Sequence, residues 1–286
     1  MTQSTRPFRS VLYLPASNAR ALAKAATLPC DAIIFDLEDA VAEAEKPAAR
    51  TALGETLAST DYGPRFRIVR INGADTPWGE DDLNAAAQMA PEAVLLPKVE
   101  SAAQVEAAFD RLPEGVRVWA MMETPLGMLK ALEIAQARGM GGFVMGTNDL
   151  AKDLNTRFRP DRLPMMHGLQ SCLTAARAAG IICIDGVYNA FKDTEGLRAE
   201  CDQGRDLGMD GKSLIHPAQV EIANAVFGPT EEELDLARRM VAAFAEAQAE
   251  GKGVAVLDGR IVENLHVATA QATLAKAEAI ATLEGA

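Results

Sequence analysis

Short apolar runs alternate with amphipathic, alanine-rich stretches through most of this chain. The apolar runs are rich in Val, Ile and Leu and lack strict alternation, which is typical of parallel strands covered on both faces. Eight such runs occupy residues 10–15, 32–38, 65–72, 93–99, 116–123, 142–149, 181–188 and 211–215. The stretches between them have helical spacing, so the pattern predicts eight consecutive strand–helix units.

Strands and helices that alternate in this way predict a parallel sheet with helices packed against it. Eight units within residues 1–228 fit a closed (β/α)8 TIM barrel, because this length is close to the usual barrel size of about 250 residues. An open, doubly wound α/β sheet is the alternative. We therefore expect an α/β fold with one catalytic barrel over residues 1–228.

The pattern changes after Pro229. A long amphipathic segment is followed by GVAVLDGRIVEN and then by a final alanine-rich helical segment. The dipeptide Asp258-Gly259 between two short apolar runs is a strong hairpin signal. Residues 229–286 are thus expected to form a helix–hairpin–helix extension that packs on its own barrel or on a neighbouring subunit.

Composition and charge exclude several kinds of partner. The net charge of −12 argues against general binding to nucleic acid or to anionic membranes. No apolar run approaches the roughly 18 to 20 residues that a membrane span needs, and the N-terminus lacks the apolar core of a signal peptide. We expect a cytoplasmic protein. The cysteines have no metal-binding spacing, so we expect buried thiols.

Charged and amide side chains close most of the predicted strands. In strand order they are Asp36, Glu38 and Asp39, then Arg70 and Asn72, then Lys98, Glu123, Asn148 and Asp149, and Asp185. TIM-barrel active sites form at the carboxyl ends of the strands. Helix capping would explain single Asp or Asn residues, but Glu, Arg and Lys are poor N-caps. The set therefore predicts an active site at this end.

Two of these carboxylates, Glu123 and Asp149, end adjacent predicted strands. Both could reach one cation, with water filling the remaining positions, and an oxygen-only site with few protein ligands suits Mg2+ best. Alternatively, Arg70 and Lys98 merely neutralise the two carboxylates. Removal of the metal would separate these two interpretations.

Arg70 offers a planar, bidentate fork for a substrate carboxylate or carbonyl oxygen. Glu38 and Asp39 could orient this arginine or hold a metal-bound water. The alternative is that Arg70 and Glu38 form only a structural ion pair between neighbouring strands. The choice between these interpretations depends on what lies around the guanidinium.

Other catalytic patterns are weak. The three histidines, His167, His216 and His266, have no carboxylate at a useful spacing, so we expect them to be structural. The G-x-S-x-G and P-loop patterns are absent from the sequence, which leaves a serine hydrolase or a P-loop nucleotidase without support.

Seven motifs occur in order from residue 9 onward. They are RSVLYLPAS (9–17), DAIIFDLEDAV (31–41), RFRIVRING (65–73), LLPKVES (95–101), MMETPLGML (121–129), MGTNDLAKDL (145–154) and LIHPAQV (214–220). With them the chain resembles the citrate lyase beta-subunit-like family, which includes malyl-CoA and citramalyl-CoA lyases. The set is specific, although each motif alone would be weak.

The resemblance implies roles for several strand-end residues. Glu123 and Asp149 would bind Mg2+, Arg70 would bind substrate with Glu38 supporting it, and Asn148 would contact substrate beside Asp149. It also implies a homotrimer or homohexamer in which the C-terminal segment covers a neighbour's site. Asp258, in LDGRIVEN, matches the aspartate that does acid–base work there.

The sequence departs from the family pattern after the first strand. Family members often carry Gly-Ser-Arg there, with the arginine on the CoA phosphates, whereas this chain has Ala16-Ser17-Asn18. Arg20, and Lys24 one helical turn further on, can take the place of that arginine. The CoA-binding residues implied by the resemblance are therefore Ser17, Arg20 and Lys24.

Within the family the whole chain is most similar to thioesterases that act on (3S)-malyl-CoA. This similarity implies hydrolysis of a CoA thioester to (S)-malate and CoA. A lyase that cleaves malyl-CoA or a related 3-hydroxyacyl-CoA to acetyl-CoA or propionyl-CoA and glyoxylate is the first alternative. The motifs for metal and acyl group are shared by the hydrolase and the lyase, so they do not separate the two. A CoA-independent aldolase and a non-catalytic CoA-binding subunit are further alternatives, and the intact set of Arg70, Glu123 and Asp149 argues against the non-catalytic subunit.

Overall fold

Eight parallel strands close into a barrel in the order of the chain, and the last strand pairs with the first. The structure is a computed structural model that describes residues 6–285. The strands are β1 (Ser10–Pro15), β2 (Ala32–Asp36), β3 (Phe66–Arg70), β4 (Ala93–Leu96), β5 (Arg117–Met122), β6 (Met140–Met145), β7 (Ile182–Asp185) and β8 (Gly211–Leu214). The predicted TIM barrel is confirmed, and the open sheet is excluded.

Ten α-helices surround the barrel within residues 6–285. They are α1 (Ala19–Ala25), α2 (Lys46–Ser59), α3 (Gly79–Met89), α4 (Ala102–Phe109), α5 (Pro125–Leu129), α6 (Ala131–Ala135), α7 (Thr147–Asp153), α8 (Met166–Ala179), α9 (Thr194–Leu207) and α10 (Val220–Phe227). The connection after β5 contains two short helices, and α7 and α8 both follow β6.

Alternate residues of each strand point into the barrel and toward the helices. Ile34 and Ile68 belong to the buried cluster inside the barrel, whereas Phe35 and Val69 pack with the helices. Asp36 and Arg70 lie two residues beyond Ile34 and Ile68, so they continue the inner face. This periodicity brings their side chains to the open end of the barrel.

Several predicted strands extend too far at their carboxyl ends. The prediction for the sixth strand reached residue 149, but β6 ends at Met145. The N–H of Gly146 donates to the carbonyl of Met122 at 2.9 Å, and its own carbonyl accepts from Leu150 at 3.1 Å. The backbone therefore changes from ladder to helix at Gly146, and Asp149 lies in the first turn of α7 rather than on a strand.

The C-terminal segment has the predicted order of elements. Helix α11 (Glu231–Ala249) begins with a capping box between Thr230 and Glu233. Strands β9 (Ala255–Leu257) and β10 (Arg260–Val262) form an antiparallel hairpin before α12 (Asn264–Glu284). The two turn residues have φ angles of 48° at Asp258 and 75° at Gly259, as a type I′ hairpin turn requires. Residues 1–5 and 286 of the two predicted spans lie outside the described residues.

A separate apolar cluster holds this segment together. Its buried members are Phe244, Ala247, Ala255, Val262 and Val267. An ion pair of 3.0 Å between Arg9 Nη1 and Glu284 Oε1 joins the end of α12 to the start of β1. The extension therefore has its own small core and an ionic contact with the barrel.

The structure bears on two sequence-based expectations, which concern membrane-spanning helices and the cysteines. None of the helices within residues 6–285 combines the length and the hydropathy that crossing a bilayer requires. All four cysteines are buried free thiols, as predicted, and burial raises the pKa of Cys172 to about 12.

Candidate active site

A cavity of about 270 Å³ opens at the carboxyl ends of the strands. It is bounded by strand ends and loops from around the barrel, and its lining includes most of the strand-end charges singled out above. The lining residues are Tyr13, Asp36, Asp39, Ala40, Arg70, Met121, Glu123, Met145, Gly146, Thr147, Asn148, Asp149, Val187, Asn189 and Ile215.

Arg70 lies on one wall of this cavity and is 7% exposed. Its Nε and Nη2 donate to the two oxygens of Asp36 at 2.7 and 2.6 Å, and Nη1 lies 2.7 Å from Glu38 Oε2. The guanidinium carbon is 5.0 Å from the centre of the Tyr13 ring. An arginine has five N–H donors, so these acidic partners leave donors that can face the cavity.

Asp36 is the main partner of Arg70, although the sequence argument gave that role to Glu38 and Asp39. Its carboxylate also accepts the backbone N–H of Glu38 at 2.9 Å and that of Ala40 at 3.1 Å. Asp36 therefore fixes both the arginine and the loop after β2. Its position two residues after the inward-facing Ile34 is the signal that could have identified it.

Glu38 sits on the same loop with its side chain mostly buried. Burial raises the pKa of Glu38 to about 7, and the nearby positive charge of Arg70 opposes that rise. Lys46 donates to the carbonyl of Glu38 at 2.6 Å and to that of Leu37 at 3.1 Å. The expected ion pair between Arg70 and Glu38 is present, and it belongs to a larger acidic group around the arginine.

Glu123 is 3% exposed and follows the end of β5. Its Oε1 accepts the backbone N–H of Lys98 at 2.8 Å. Within residues 6–285 no hydrogen bond occupies Oε2, which leaves that oxygen available to a ligand. Burial raises the pKa of Glu123 to about 7, with the Lys98 N–H acting against it. A cation beside this buried carboxylate would favour its charged form.

Asp149 reaches the same cavity from the first turn of α7. Lys98 Nζ lies 3.9 Å from Asp149 Oδ1, and its side chain is exposed at the rim. Arg70, by contrast, is taken up by Asp36 and Glu38. Lys98 is thus the cation paired with Asp149, and this ion pair is long.

The donor set fits a hard cation. The described part of the chain contains no cluster of three or more His, Cys, Asp or Glu side chains arranged to hold a metal, so a site built only from protein ligands is not present there. Glu123 and Asp149 supply oxygen alone. Two carboxylates, with water or substrate in the other positions, suit Mg2+ in particular.

The loop after β7 forms the opposite wall. The amides of Asn148 and Asn189 exchange hydrogen bonds of 2.8 and 3.3 Å. Asn148 was a predicted site residue, whereas Asn189 was not predicted, because 41 residues separate the two and only the fold brings them together.

Four predicted strand-end residues are absent from the cavity lining. Glu38 and Lys98 lie next to it, paired with Arg70 and Asp149, whereas Asp185 and Asn72 are held elsewhere. Asp185 is fully buried outside the barrel, where it pairs with Arg162 at 2.7 Å and Lys212 at 3.2 Å. Asn72 is held by Asp82 and the carbonyl of Leu37. Placing Asp185 and Asn72 at the mouth was wrong. Asp185 follows the outward-facing face of β7, and the side chain of Asn72 is held by α3.

The remaining predicted residues lie outside the cavity lining. Ser17, Arg20 and Lys24 are exposed on the turn after β1 and on α1. Asp258 is exposed at the hairpin turn and pairs with Arg239 of α11. Neither group reaches the cavity within the described chain.

Two of the three histidines act as helix caps, in line with the structural role expected of them. His216 Nδ1 accepts the N–H of Ala218 at 3.1 Å, and His266 Nδ1 accepts that of Glu263 at 3.0 Å. The His216 ring also stacks on Phe191. His167 lies beside a surface pocket of α5, α6 and α8.

Comparison with known proteins adds independent information. The family profile described as HpcH/HpaI aldolase/citrate lyase matches residues 9–217. A (3S)-malyl-CoA thioesterase from Cereibacter sphaeroides is 62% identical over 281 residues, which cover 98% of this chain and 98% of that protein. The citrate lyase subunit beta of Escherichia coli K12 is 36% identical, covering 96% of this chain and 95% of that protein.

Solved structures agree with this result. CitE from Mycobacterium tuberculosis in complex with magnesium, acetoacetate and coenzyme A has a TM-score of 0.80 and 34% identity, covering 97% of this chain and 100% of that chain. RipC from Yersinia pestis has a TM-score of 0.70 and 29% identity, covering 81% of this chain and 100% of that chain.

Proposed function

The chain belongs to the HpcH/HpaI aldolase/citrate lyase family, and we propose that it is a magnesium-dependent thioesterase that hydrolyses (3S)-malyl-CoA to (S)-malate and free CoA. The observation that carries this proposal is the cavity shared by Arg70, Glu123 and Asp149, in a chain 62% identical to a (3S)-malyl-CoA thioesterase over 98% of its length.

Glu123 and Asp149 are the proposed magnesium ligands. A magnesium ion bound there supplies positive charge that orients the carboxylate and hydroxyl oxygens of the malyl group. The N–H of Lys98 holds Glu123 Oε1 in place, so that Oε2 is the oxygen offered to the metal. Asn148, next to Asp149 and held by Asn189, is proposed to contact the substrate.

Arg70 is the proposed electrostatic catalyst. Thioester hydrolysis develops negative charge on the acyl oxygen, and donors fixed in advance toward that oxygen are often the largest catalytic contribution. Asp36 and Glu38 hold the guanidinium from behind, so it does not need to reorganise during the reaction. Glu38, whose Oε2 lies 2.7 Å from Arg70 Nη1, supports this arginine.

The base that activates water is proposed to be Asp258 of a neighbouring subunit. Its side chain is 62% exposed and lies outside the cavity of its own chain. The same extension exposes Val256, Ile261 and Leu265, each more than half exposed, which is an apolar surface suited to a subunit contact. We propose residues 229–286 as the covering segment of a homotrimer or homohexamer.

CoA is proposed to bind across the turn after β1. Arg20 and Lys24 lie one turn apart on α1 and are both exposed, so both can reach phosphate groups. Ser17 adds a hydroxyl at the same turn. The carboxyl end of β1 adjoins the cavity through Tyr13, which places this turn beside the proposed acyl site.

Carbon–carbon cleavage is the second candidate, favoured by the 36% identity to citrate lyase subunit beta. The same base would then take the proton of the substrate hydroxyl, and the carbon–carbon bond would break to give glyoxylate and the enolate of acetyl-CoA. The enolate would take up a proton to give acetyl-CoA. The two reactions use the same metal ligands and Arg70. They differ in the group from which the base takes a proton, which is water in hydrolysis and the substrate hydroxyl in carbon–carbon cleavage.

The proposed function is tested by the release of free thiol from (3S)-malyl-CoA. Thiol release should require Mg2+, stop when a chelator is added, and be lost in Asp149→Asn, which keeps the shape of the side chain and removes its charge. Undiminished thiol release by Asp149→Asn at limiting Mg2+ would overturn the assignment of the metal site.

A further inference from the structure

A buried ionic cluster lies outside the barrel, directly behind the loop that forms one wall of the active site. Its members are Lys212 on β8, Asp185 at the end of β7, Arg162 before α8 and Glu200 on α9. Lys212 and Asp185 are fully buried, and Arg162 is 2% exposed. The proposed function gives no role to any of the four.

The cluster is balanced in charge, and most of its polar atoms are hydrogen-bonded, although Arg162 Nη2 has no hydrogen-bond partner among the described residues. Lys212 Nζ donates to Glu200 Oε1 at 2.8 Å and to Asp185 Oδ2 at 3.2 Å, while Arg162 Nη1 donates to both oxygens of Asp185 at 2.7 and 2.8 Å. Two cations thus face two carboxylates, the condition under which buried charge is tolerated.

Lys212 also binds the backbone of the active-site loop. Its third hydrogen bond goes to the carbonyl oxygen of Gly186, and Ser213 Oγ donates to the carbonyl of Asp185 at 2.9 Å. The first peptide units after β7 are therefore attached to β8. The position of this loop depends on the ammonium of Lys212.

The loop in turn presses on the helix that carries Asp149. Gly186 lies so close to Thr147, the first residue of α7, that an added Cβ would fall 2.6 Å from Thr147 Oγ1 and Cγ2. Three residues further along, Asn189 exchanges two hydrogen bonds with Asn148. The Thr147 side chain fills the contact between the loop and the helix at Gly186, so a shift of the loop toward α7 would press on the helix through it.

Asp149 has little else to hold it. Among the described residues its side chain makes no hydrogen bond, and its contact with Lys98 is 3.9 Å long. The position of its carboxylate therefore follows the position of α7. Groups outside the ligand shell commonly set metal affinity in this way, and their loss costs about 10- to 100-fold.

We propose that Lys212 is a positioning residue for the metal site, acting through Gly186 and Thr147 on α7 and hence on Asp149. This inference rests on the proposed function, because it takes Asp149 as a magnesium ligand. The buried cluster then has a role besides stabilising the fold, because it holds the Asp149 carboxylate in position to bind the metal.

The test is magnesium titration by calorimetry on the full-length chain, with Tm measured in parallel. Lys212→Met keeps the length of the side chain and removes the ammonium, and it should weaken Mg2+ binding by about 10-fold or more. Arg177→Met is the matched control, because Arg177 pairs with Asp210 near the other end of β7. It should lower Tm and leave the Kd for Mg2+ unchanged.

If Lys212→Met does not fold, Gly186→Ala decides, since it keeps all four charges and pushes the loop against Thr147; it too should weaken Mg2+ binding. A folded Lys212→Met with wild-type Mg2+ affinity would overturn the positioning role, as would an unchanged Gly186→Ala. Absence of Mg2+ binding to the wild-type chain would instead overturn the proposed function, and this inference with it.

Discussion

Gly146 lies against Glu123 so closely that a Cβ at position 146 would fall 2.4 Å from Glu123 Oε2. That oxygen is the one proposed to bind the metal. Gly146→Ala should therefore displace the carboxylate and weaken Mg2+ binding by about 10-fold, although no ligand is removed. Calorimetric titration with Mg2+ would measure the change.

Gly54→Ala is the control for this substitution. Gly54 lies in α2, and the nearest atom to an added Cβ, Met89 Cε, would be 3.6 Å away, which is an ordinary contact. This variant should bind Mg2+ as the wild type does and be slightly more stable. Equal Mg2+ affinity in both glycine variants would contradict the proposed geometry.

Arg70→Lys should impair catalysis without affecting the metal. A lysine keeps the charge but cannot bond both oxygens of Asp36 and still face the substrate. We expect kcat/KM to fall by about 100-fold or more, as for loss of an oxyanion donor, with the Kd for Mg2+ unchanged. Arg67→Lys, on the same strand but paired with Glu92, should be nearly neutral. Full activity of Arg70→Lys would remove Arg70 from the mechanism.

The buried ionic cluster around Asp185 should make the free energy of unfolding depend on pH at acidic pH. Burial alone would raise the pKa of Asp185, but Lys212 and Arg162 outweigh it and hold that pKa below its ordinary value. A carboxylate of this kind stabilises the fold above its unfolded pKa, and the stabilisation is lost as the pH falls through the folded pKa.

Asp185→Asn should therefore lower the free energy of unfolding by about 3 to 5 kcal/mol near neutral pH and by less below the ordinary aspartate pKa of about 3.9. Urea denaturation near neutral pH and again below about pH 3.9 measures the two free energies of unfolding. Asp110→Asn, which breaks a pair more than half exposed, should have little effect at either pH. An equal loss for Asp185→Asn at both values would contradict the assigned charge state.

Asp258 should act across subunits. Asp258→Ala and Arg70→Ala chains are each expected to be inactive, but their mixture should recover activity, since some sites would combine an intact Arg70 with an intact Asp258. With random mixing in a ring, about a quarter of the sites would be complete. Thiol release by confirmed hetero-oligomers measures this, and its absence there would contradict action in trans.

The barrel was predictable from sequence because eight apolar runs recur with helical stretches between them. Which residues of each strand point into the barrel was harder to predict from sequence. In β7, Cys183, Ile184 and Asp185 are all buried, and a strand covered on both sides has no alternation that reveals which residues point inward. Asp185 was for that reason placed at the mouth, whereas it faces the helices.

Some contacts in the candidate site were predictable from sequence, and others were not. Arg70 and Glu123 meet at one cavity because strand ends converge in any parallel barrel, and Asp149 joins them from the first turn of the helix that follows β6. The contacts of Asn189 with Asn148, and of Gly186 with Thr147, depend on the shape of one loop, which no periodicity encodes. Contacts across a subunit boundary, such as the one proposed for Asp258, depend on surfaces that a single chain leaves exposed.

Hydrolysis of a CoA thioester at this magnesium site is tested by the identity of the products. Purified protein would be incubated with (3S)-malyl-CoA and Mg2+, and malate, free CoA, glyoxylate and acetyl-CoA would be quantified together. We expect malate and free CoA in equal amounts. Glyoxylate and acetyl-CoA in equal amounts, with no malate, would contradict hydrolysis and identify a lyase.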